Sequence, residues 1–465
     1  MNRNVLLFDL DGTLLRTDKS ISVRTLNILE KCRNAGTLIG ISTSRSEKNS
    51  RSYLSALCPD FMIASGGALV KCQNEYVYKA EFTVEETRKM IQLARDICGA
   101  DCEITIDTKD EHYWNYKLDP NQVDASWGGS IYTDFVNFSE RALKMCVEIF
   151  DFATAKRLAD SLPDCDCVKF VDSEWYKFTK KTATKENAIL ELCKVYNITT
   201  NDIWAFGDDL VDMGMLKLCG KGIAMGNALP NVKSIADVVI GSNDEDGIAD
   251  YLEKELWRFE KAQMVRNFYN INQSAQKGQV VFVGSSLMEM FPIEEWTKEL
   301  GENAPIVYNR GVGGYRTTDL LPILDVCVFE LEPRKIFINI GTNDLSDSNI
   351  PLETVMKNYD RIVTLIEDKL PDVIIYMMAY YPINYEAATE EMKPCLLIRT
   401  NEKIRSANEL VAKIAAKHNQ KYIDVNTALT DEQGRLKAEY TIEGMHIKPE
   451  GYRAIFDEVM KYVVE

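Results

Sequence analysis

An apolar strand that ends in two closely spaced carboxylates is the feature that most constrains the fold of this chain. Residues 5–8 are apolar, and Asp9 and Asp11 follow them on either side of a leucine. Side chains alternate across a strand, so the two carboxylates point the same way, and Gly12 permits a sharp turn after them. Two carboxylates this close repel each other unless a cation or a proton lies between them, so the pattern indicates bound Mg²⁺ or a shifted pKa. A plain strand followed by an Asp-Gly turn is the alternative.

Further polar residues follow later predicted strands or open a helix. The predicted strand at residues 37–42 ends beside Thr43, whose hydroxyl would be placed to bind a phosphate oxygen. Lys185 opens a predicted helix, where the helix dipole disfavours a cation, so it has a chemical role or is simply a solvated lysine. Asp208 and Asp212 follow another predicted strand. Because ligand groups gather beyond the carboxyl ends of parallel strands, we expect the ends of the first two strands to share one crevice.

In this order, the four clusters resemble the four motifs of the haloacid dehalogenase superfamily of phosphohydrolases. The residues that match these motifs are, in turn, Asp9 with Asp11, Thr43, Lys185, and Asp208 with Asp212. Residues 222–228 and 243–247 further resemble the Cof-type branch, whose members carry a cap inserted between the second and third motifs. Val211 departs from the pattern, because the family usually has an asparagine there.

This resemblance implies a phosphatase mechanism. Asp9 would attack phosphorus to form an aspartyl phosphate, and Asp11 would act as general acid and then general base. Thr43 and Lys185 would hold the oxygens of the transferring group. The residues implied to hold Mg²⁺ are Asp9, Asp11, Asp208 and Asp212. Two alternatives are a phosphate sensor and a phosphoryl transferase acting between sugars, which in this family usually has a smaller cap after the first motif.

The second half of the chain repeats the alternation of predicted strands and helices. Ser286 follows an apolar strand and stands at the start of a helix. Three more polar clusters lie at residues 309–314, 339–344 and 443–446. The alternation implies a second parallel sheet with its own crevice.

These segments resemble the SGNH, or GDSL-type, hydrolases over about residues 278–465. The resemblance implies that Ser286 is the nucleophile, that His446 is the base, and that Glu443 orients the histidine. The backbone N–H groups of Ser286 and Gly314, with the side-chain amide of Asn343, would form an oxyanion hole.

Three residues depart from the usual pattern of this second family. Ser285 and Tyr315 stand where the family often has aspartates, and Glu443 replaces the aspartate that orients the histidine. A carbohydrate-binding or scaffolding module with a decayed triad is therefore the alternative to an esterase. Hydrogen-bond reach from Glu443 to His446, and from there to Ser286, would favour the enzyme.

The predicted fold class is α/β, with two parallel-sheet, three-layer domains. A haloacid-dehalogenase-like Rossmannoid core with an inserted α+β cap comes first, followed by a flavodoxin-like SGNH hydrolase domain. The expected boundaries are 1–82 and 181–258 for the core, 83–180 for the cap, 259–277 for a partly helical linker, and 278–465 for the hydrolase domain.

Composition limits the partners and the compartment. The chain has 71 acidic and 54 basic residues, and its net charge of −17 argues against nucleic acid or an anionic membrane as partner. No apolar run is long enough to span a membrane, and the early first strand leaves no room for a signal peptide. Apart from Cys165 and Cys167, the 12 cysteines lack paired short spacings, so we expect reduced thiols and a cytoplasmic protein.

Together, these features predict a bifunctional hydrolase. One site would be a Mg²⁺-dependent phosphatase of small phosphomonoesters such as sugar phosphates. The other would be a serine esterase acting on acyl esters, with deacetylation of a carbohydrate as one form. Fusion in one chain favours the hypothesis that both sites act on one esterified and phosphorylated small molecule. The oligomeric state stays open.

Overall fold

The computed structural model describes residues 4–116, 130–170 and 173–465. The chain forms two compact units, Met1–Glu260 and Lys261–Glu465. Among the helices described, none is both long and apolar enough to cross a membrane.

The first unit contains two sheets and the helices that cover them. Its strands in the described ranges are β1 (Val5–Phe8), β2 (Leu38–Ser42), β3 (Phe61–Ala64), β4 (Leu69–Cys72), β5 (Glu75–Lys79), β6 (Ile104–Asp107), β7 (His112–Trp114), β8 (Ile131–Tyr132), β9 (Lys144–Glu148), β10 (Cys165–Lys169), β11 (Trp175–Lys180), β12 (Ile203–Gly207), β13 (Lys221–Ala224) and β14 (Val238–Val239). Its α-helices are α1 (Val23–Asn34), α2 (Glu47–Leu57), α3 (Val84–Cys98), α4 (Phe152–Asp160), α5 (Lys185–Tyr196), α6 (Met213–Leu218), α7 (Pro230–Lys233) and the start of α8 (Gly247–Asn272).

The larger sheet of this unit places β1 near its middle. The strand order is β14-β13-β12-β1-β2-β3-β4-β5, and the pairs from β14 to β3 are parallel. All four residues of β1 are fully buried, as expected for a parallel strand covered on both faces. The carboxyl ends of β12, β1 and β2 therefore lie side by side at one edge of the sheet.

The smaller sheet, which we call the cap sheet, lies in the chain between β5 and α5. Its strand order is β10-β11-β9-β6-β7-β8, and only the β7–β8 pair is parallel. Apolar residues of α3 and α4 pack with those of β6, β9 and β11 in one hydrophobic cluster. Between β1 and β2 the only α-helix is α1, so the structure does not support the sugar phosphotransferase alternative, whose cap would be inserted there.

Helix α8 extends through the residues where the sequence predicted the end of the first domain and the start of a linker. Phe259 packs in the core of the first unit, whereas Val265 and Phe268 pack in a core of the second. Farther along α8, Asn272 accepts hydrogen bonds from the buried guanidinium of Arg310. These contacts fix both parts of the helix by side-chain packing.

The second unit contains one sheet with helices on both faces. Its strands are β15 (Val280–Gly284), β16 (Val307–Gly311), β17 (Lys335–Asn339), β18 (Ile374–Met378) and β19 (Lys421–Ile423). Its further α-helices are α9 (Ser286–Glu289), α10 (Ile293–Lys298), α11 (Thr317–Leu320), α12 (Leu324–Cys327), α13 (Thr342–Leu345), α14 (Leu352–Lys369), α15 (Lys393–Ile398), α16 (Asn401–Lys417) and α17 (Pro449–Val464).

The strand order of this sheet is β16-β15-β17-β18-β19, and every pair is parallel. Counted within the unit, that is the order 2-1-3-4-5 of a flavodoxin-like doubly wound sheet. Alternation along β15 sends Val281 and Val283 to one hydrophobic core and Val280 and Phe282 to the other. The predicted α/β class with parallel-rich sheets is confirmed, while the domain boundaries stay a prediction.

Candidate functional site

Lys185 connects the residues of the first candidate site. Its Nζ donates hydrogen bonds of 2.7 Å to Asp9 Oδ1, to Asp212 Oδ1 and to the backbone oxygen of Ser42. Lys185 is the first residue of α5, and the side chain of Thr184 caps that helix. The unfavourable position of a cation in the first helical turn is thus offset by two buried carboxylates.

A glycine turn brings Asp208 against the loop after β1. Gly12 has a φ of +79°, and a Cβ atom on it would lie 2.2 Å from Asp208 Oδ2, so this position requires glycine. The other carboxylate oxygen of Asp208 accepts a 2.7 Å hydrogen bond from Thr13 Oγ1. Asp212 Oδ2 in turn accepts 3.1 Å hydrogen bonds from the backbone N–H groups of Asp208 and Asp209.

The carboxylates of Asp9, Asp208 and Asp212 form a cluster in which one oxygen from each lies within 4.8 Å of the others. Burial raises the pKa of Asp9 well above its usual range, and the neighbouring Asp212 and Asp208 add to this against the opposing charge of Lys185. Burial also raises the pKa of Asp208 to about 7. Three carboxylates beside one ammonium group leave an excess of negative charge. Carboxylate oxygens are also the hard ligands that Mg²⁺ prefers, so this donor set fits a divalent cation.

The side chain of Asp11 lies outside this cluster among the described residues. Its carboxylate accepts hydrogen bonds from Arg45 Nε and Nη2 at 2.6 Å and from Lys19 Nζ at 2.8 Å. Burial opposes ionisation, but these two cations outweigh it and lower the pKa of Asp11. The sequence analysis gave Arg45 no role, although a cation two residues after Thr43 was a visible signal.

Thr43 is held rigidly in the loop after β2. It is buried, and its backbone bonds to Ile63 and Gly66 at 2.9 and 3.0 Å. Its hydroxyl accepts a hydrogen bond of 3.1 Å from the backbone N–H of Arg45. Thr43 directly follows Ser42, whose carbonyl accepts from Lys185, and Lys185 also binds Asp9 and Asp212, so all four predicted motifs meet around this lysine.

The second candidate site contains a continuous chain of hydrogen bonds. Ser286 Oγ lies 2.9 Å from His446 Nε2, and His446 Nδ1 lies 2.5 Å from Glu443 Oε1. Gly444, with a φ of +102°, turns the backbone between the acid and the histidine, and its N–H donates to Thr441 Oγ1 at 2.8 Å. Burial opposes ionisation of Glu443, but the hydrogen bond and charge of His446, together with backbone hydrogen bonds, outweigh burial and lower the pKa of Glu443.

The short helix α9, which begins with Ser286, is fixed from two sides. The side-chain amide of Asn309 donates to the carbonyl of Met288 at 2.7 Å. The hydroxyl of Tyr452 donates to the carbonyl of Leu287 at 2.7 Å. A helix of four residues has little intrinsic stability, so these contacts orient the serine.

Candidate donor groups follow three neighbouring strands, with Ser286 after β15, Gly314 after β16 and Asn343 after β17. Within the described part of the chain, the backbone N–H groups of Ser286 and Gly314 donate no hydrogen bond, and Gly314 has a φ of +78°. The side-chain amide of Asn343 donates to the Tyr315 carbonyl at 3.0 Å, and Asn343 Oδ1 accepts from Arg399 Nη2 at 2.9 Å. These two bonds fix which way the amide faces, and its second N–H is left for a ligand.

Arg399 is a supporting residue that the sequence analysis missed. It is 2 % exposed, and its Nε donates to Ser346 Oγ at 2.7 Å. Burial lowers the pKa of its guanidinium to about 10, against the charges of Cys395, Glu443 and Asp344. No motif in the sequence marks this arginine, because its role depends on reaching Asn343 across 56 residues.

The three departures from the usual pattern leave the hydrogen-bond chain intact. Ser285 is fully buried, and its Oγ lies 3.5 Å from Thr342 Oγ1. Tyr315 contributes its backbone carbonyl to Asn343, a contact that does not depend on its side chain. Glu443, despite its extra methylene group, reaches the histidine.

Two family models match the chain, one in each half. Residues 6–252 match the family of haloacid dehalogenase-like hydrolases, and residues 282–454 match the GDSL-like lipase/acylhydrolase family. The first match covers more than half of the chain, which therefore belongs to the haloacid dehalogenase-like hydrolases and carries in addition a GDSL-like lipase/acylhydrolase domain. Both resemblances stated from the sequence are confirmed, and the chain is a hydrolase.

Its relatives include two proteins of Bacillus subtilis strain 168. The 5-amino-6-(5-phospho-D-ribitylamino)uracil phosphatase YwtE is 27% identical over 277 residues, covering 53% of this chain and 96% of that protein. The phosphatase YwpJ is 25% identical over 284 residues, covering 54% of this chain and 99% of that protein. A crystal structure of a hypothetical protein from Geobacillus kaustophilus HTA426 has a TM-score of 0.49 and 22% identity, covering 55% of this chain and all of that chain.

Proposed function

We propose that the first unit is a Mg²⁺-dependent phosphatase of small phosphomonoesters and that the second is a serine esterase. The cluster of Asp9, Asp208 and Asp212 around Lys185 is the observation that supports the phosphatase. The hydrogen-bond chain from Glu443 through His446 to Ser286 supports the esterase. Relatives named as phosphatases add support for the first activity.

In the phosphatase, Asp9 attacks phosphorus, so that an acyl–phosphate bond forms as the bond to the leaving oxygen breaks. Lys185 and Thr43 hold the oxygens of the transferring group. Asp9, Asp208 and Asp212 would hold Mg²⁺, which when bound reduces the repulsion between the nucleophile and the phosphate. The charge of Lys185 also favours the ionised, nucleophilic form of Asp9.

Asp11 would transfer protons in both steps of this reaction. In the second step water attacks the aspartyl phosphate, and Asp11 accepts a proton from that water. Its pairing with Arg45 and Lys19 favours the carboxylate needed for this step. Protonation of the leaving oxygen in the first step requires the acid form, which these same cations oppose.

In the esterase, Ser286 Oγ attacks the acyl carbon while His446 Nε2 takes its proton. Glu443 accepts the hydrogen bond of the Nδ1–H group, which leaves Nε2 free as the base. The N–H groups of Ser286, Gly314 and Asn343 would bind the oxyanion. His446 then gives the proton to the departing alcohol, and water cleaves the acyl-enzyme by the same steps.

Paired substrates test the two proposals separately. We expect wild-type protein with Mg²⁺ to hydrolyse p-nitrophenyl phosphate, and Asp9→Asn to abolish this while retaining hydrolysis of p-nitrophenyl acetate. Ser286→Ala should have the reverse effect, since each variant is the folded control for the other. Acetate hydrolysis that is equal in wild type and Ser286→Ala would contradict the esterase and favour a binding module.

We further propose that the esterase removes acyl groups such as acetyl from a carbohydrate. This proposal rests on the predicted sugar-phosphate specificity of the other site and on the fusion of both in one chain. A screen of acetylated sugars and acetylated sugar phosphates would test it. Equal rates on simple alkyl acetates would contradict this narrower proposal and leave the esterase standing.

A further inference from the structure

The cap sheet has one apolar face and one buried polar face. Apolar side chains of β6, β9 and β11 pack against α3 and α4, and the alternate positions on these strands point the other way. On that opposite face lie three charged residues, Asp107, Lys144 and Lys177, each less than one tenth exposed. Charges buried to this extent are normally paired, so their partners are informative.

Two of the three charges are matched. Asp107 lies 2.6 Å from Lys144 Nζ and 2.5 Å from His112 Nδ1. Lys144 also donates to the backbone oxygen of Ser44 at 2.9 Å, which brings this face of the cap sheet over the loop after β2. The charges of Asp107 and Lys144 are thus paired with each other, and His112 bonds to the same carboxylate.

Lys177 has no such partner. It is 7 % exposed, and its ammonium group makes no hydrogen bond or ion pair within residues 4–116, 130–170 and 173–465. Burial, and then the charge of Lys144, lower the pKa of Lys177 to about 8. A largely buried lysine whose ammonium group has no partner among the described residues is poorly compensated in the unliganded protein, so its presence points to an anion that binds there.

The position of Lys177 connects it to the candidate phosphatase site. Its Nζ lies 2.9 Å from the point where a Cβ atom on Gly66 would stand. The backbone N–H of Gly66 donates to the carbonyl of Thr43 at 3.0 Å. Lys177 therefore extends from the cap sheet toward the loops that carry the phosphatase motifs.

A cavity of about 380 Å³ opens on the same face of the cap sheet. Arg45 and Asn49 line it from the core, and Trp114 and Trp175 line it from the cap. Trp175 lies two residues before Lys177 on β11, so both side chains are on one face of that strand. The volume is within the range of small-molecule sites and exceeds what a phosphoryl group needs.

We propose that Lys177 binds a second anionic group of the substrate, carried by the leaving group, so that the first unit prefers phosphomonoesters bearing a carboxylate or a second phosphate. This inference rests on the proposed phosphatase function. The transferring phosphoryl group would have Lys185 and a bound cation to offset its charge, whereas Lys177 lies on the cap sheet, on the face onto which this cavity opens. Asn49 Oδ1 is buried there without a hydrogen-bond partner among the described residues, and it suits a hydroxyl donor on the same leaving group.

Equilibrium binding to an Asp9→Asn variant tests this without turnover. Isothermal titration calorimetry in Mg²⁺ would compare two matched pairs of ligands, 6-phosphogluconate with sorbitol 6-phosphate and 2-carboxyphenyl phosphate with phenyl phosphate. Within a pair, only one ligand carries the added carboxylate. We expect at least one carboxylate ligand to bind about 10-fold more tightly than its partner, the size of a charge-assisted hydrogen bond. Equal affinities within both pairs would overturn the proposal.

Substitutions of Lys177 in the same background sharpen the test. Lys177→Met should remove the preference, and Lys177→Arg should retain most of it. Lys180→Met, on the same strand but outside the buried polar face, is the matched control and should retain it fully. Lys177→Met should also leave the unliganded unfolding temperature unchanged or higher, because it removes an unpaired charge. A preference that survives Lys177→Met, or a lower unfolding temperature, would overturn the proposal.

The outcomes also separate this inference from the proposed function. Hydrolysis of p-nitrophenyl phosphate by the wild type, with no carboxylate preference in binding, would overturn the second anion site alone. A preference that depends on Lys177, with no turnover of any phosphomonoester by the wild type, would overturn the phosphatase alone.

Discussion

The two candidate sites activate a side-chain oxygen in opposite ways. In the first, the proposed nucleophile Asp9 is itself a carboxyl group, buried beside two further carboxylates and one lysine. In the second, Ser286 is neutral, and a single carboxylate, Glu443, acts through His446. The first site depends on cations that offset buried negative charge, whereas the second depends on hydrogen bonds that orient a proton acceptor.

The sites also differ in how the chain assembles them. The first gathers residues from the segments after β1, β2 and β12 and from the start of α5, and the hydrogen bond from Lys185 to Asp9 spans 176 residues. Within the hydrogen-bond chain of the second, Glu443 and His446 lie three residues apart on one turn, and Ser286 is the distant member. Removing a charge should therefore disturb the first site most, and changing a donor or acceptor should disturb the second most.

The strongest test of this contrast is a change of the acceptor that orients the histidine in the second site. In Glu443→Gln the amide can donate to Nδ1, which would place the histidine proton on Nε2 and leave no base for Ser286. We expect kcat for p-nitrophenyl acetate to fall by about 10⁴-fold. The exposed Glu439→Gln is the control, and a fall of less than 10-fold in Glu443→Gln would mean that Glu443 does not set the tautomer.

Metal removal should separate the two sites completely. Dialysis against EDTA should lower phosphatase activity by about 10³-fold, because several kcal/mol of charge stabilisation are lost, and Mg²⁺ should restore it. Hydrolysis of p-nitrophenyl acetate should not change. An esterase activity that also required metal would contradict the proposed division between a charge-dependent and a hydrogen-bond-dependent site.

Asn343→Ala removes one proposed donor to the oxyanion. We expect kcat for p-nitrophenyl acetate to fall by about 10²-fold with little change in KM, since the contact forms fully only in the transition state. Asn349→Ala, at an exposed position of the same unit, is the control. If KM rises in proportion while kcat is retained, Asn343 binds the ground state instead.

Acid should lower the free energy of unfolding of the first unit through Asp107 in the cap sheet. Burial opposes ionisation of Asp107, but the charges of Lys144 and His112 outweigh it and lower its pKa to about 2. The folded pKa lies below the unfolded value, so Asp107 stabilises the folded state above pH 4, and this contribution is lost as the pH falls toward 2. Between pH 5 and pH 3 we expect a loss of about 1 kcal/mol, which Asp107→Asn should lack.

Urea unfolding of the first unit at both pH values would measure this difference. The exposed Asp101→Asn is the matched control and should behave as the wild type does. Equal acid sensitivity of Asp107→Asn and wild type would mean that the buried ion pairs contribute nothing net.

Much of the second site was predictable because each of its motifs is local. A buried strand followed by a glycine and a serine predicts the turn that presents Ser286, and the spacing of Glu443 and His446 lets one loop hold both. The use of the Tyr315 carbonyl, and not its side chain, was not predictable, because residue type does not specify backbone contacts. Only the fold shows that the contact of Tyr315 with Asn343 uses the backbone, so that this contact does not depend on the residue type at position 315.

Less of the first site could be predicted in detail. Lys185 was marked by its poor fit to a helix start, and the structure explains that misfit by its two carboxylate partners. The pairing of Asp11 with Arg45 was missed, because 34 residues separate them and their distance depends on the register of β1 and β2.

By itself, the sequence determined which elements form and which residues carry chemistry, because strand alternation, helix starts and glycine turns act over a few residues. Only the tertiary structure decided which charge meets which. It pairs Asp107 with Lys144, supports Asn343 with Arg399, and leaves Lys177 buried with no partner among the residues that the structure describes. The physical reason is that electrostatic and hydrogen-bond energies depend on separations of a few ångströms and on burial, which strand register and packing set between residues far apart in the chain.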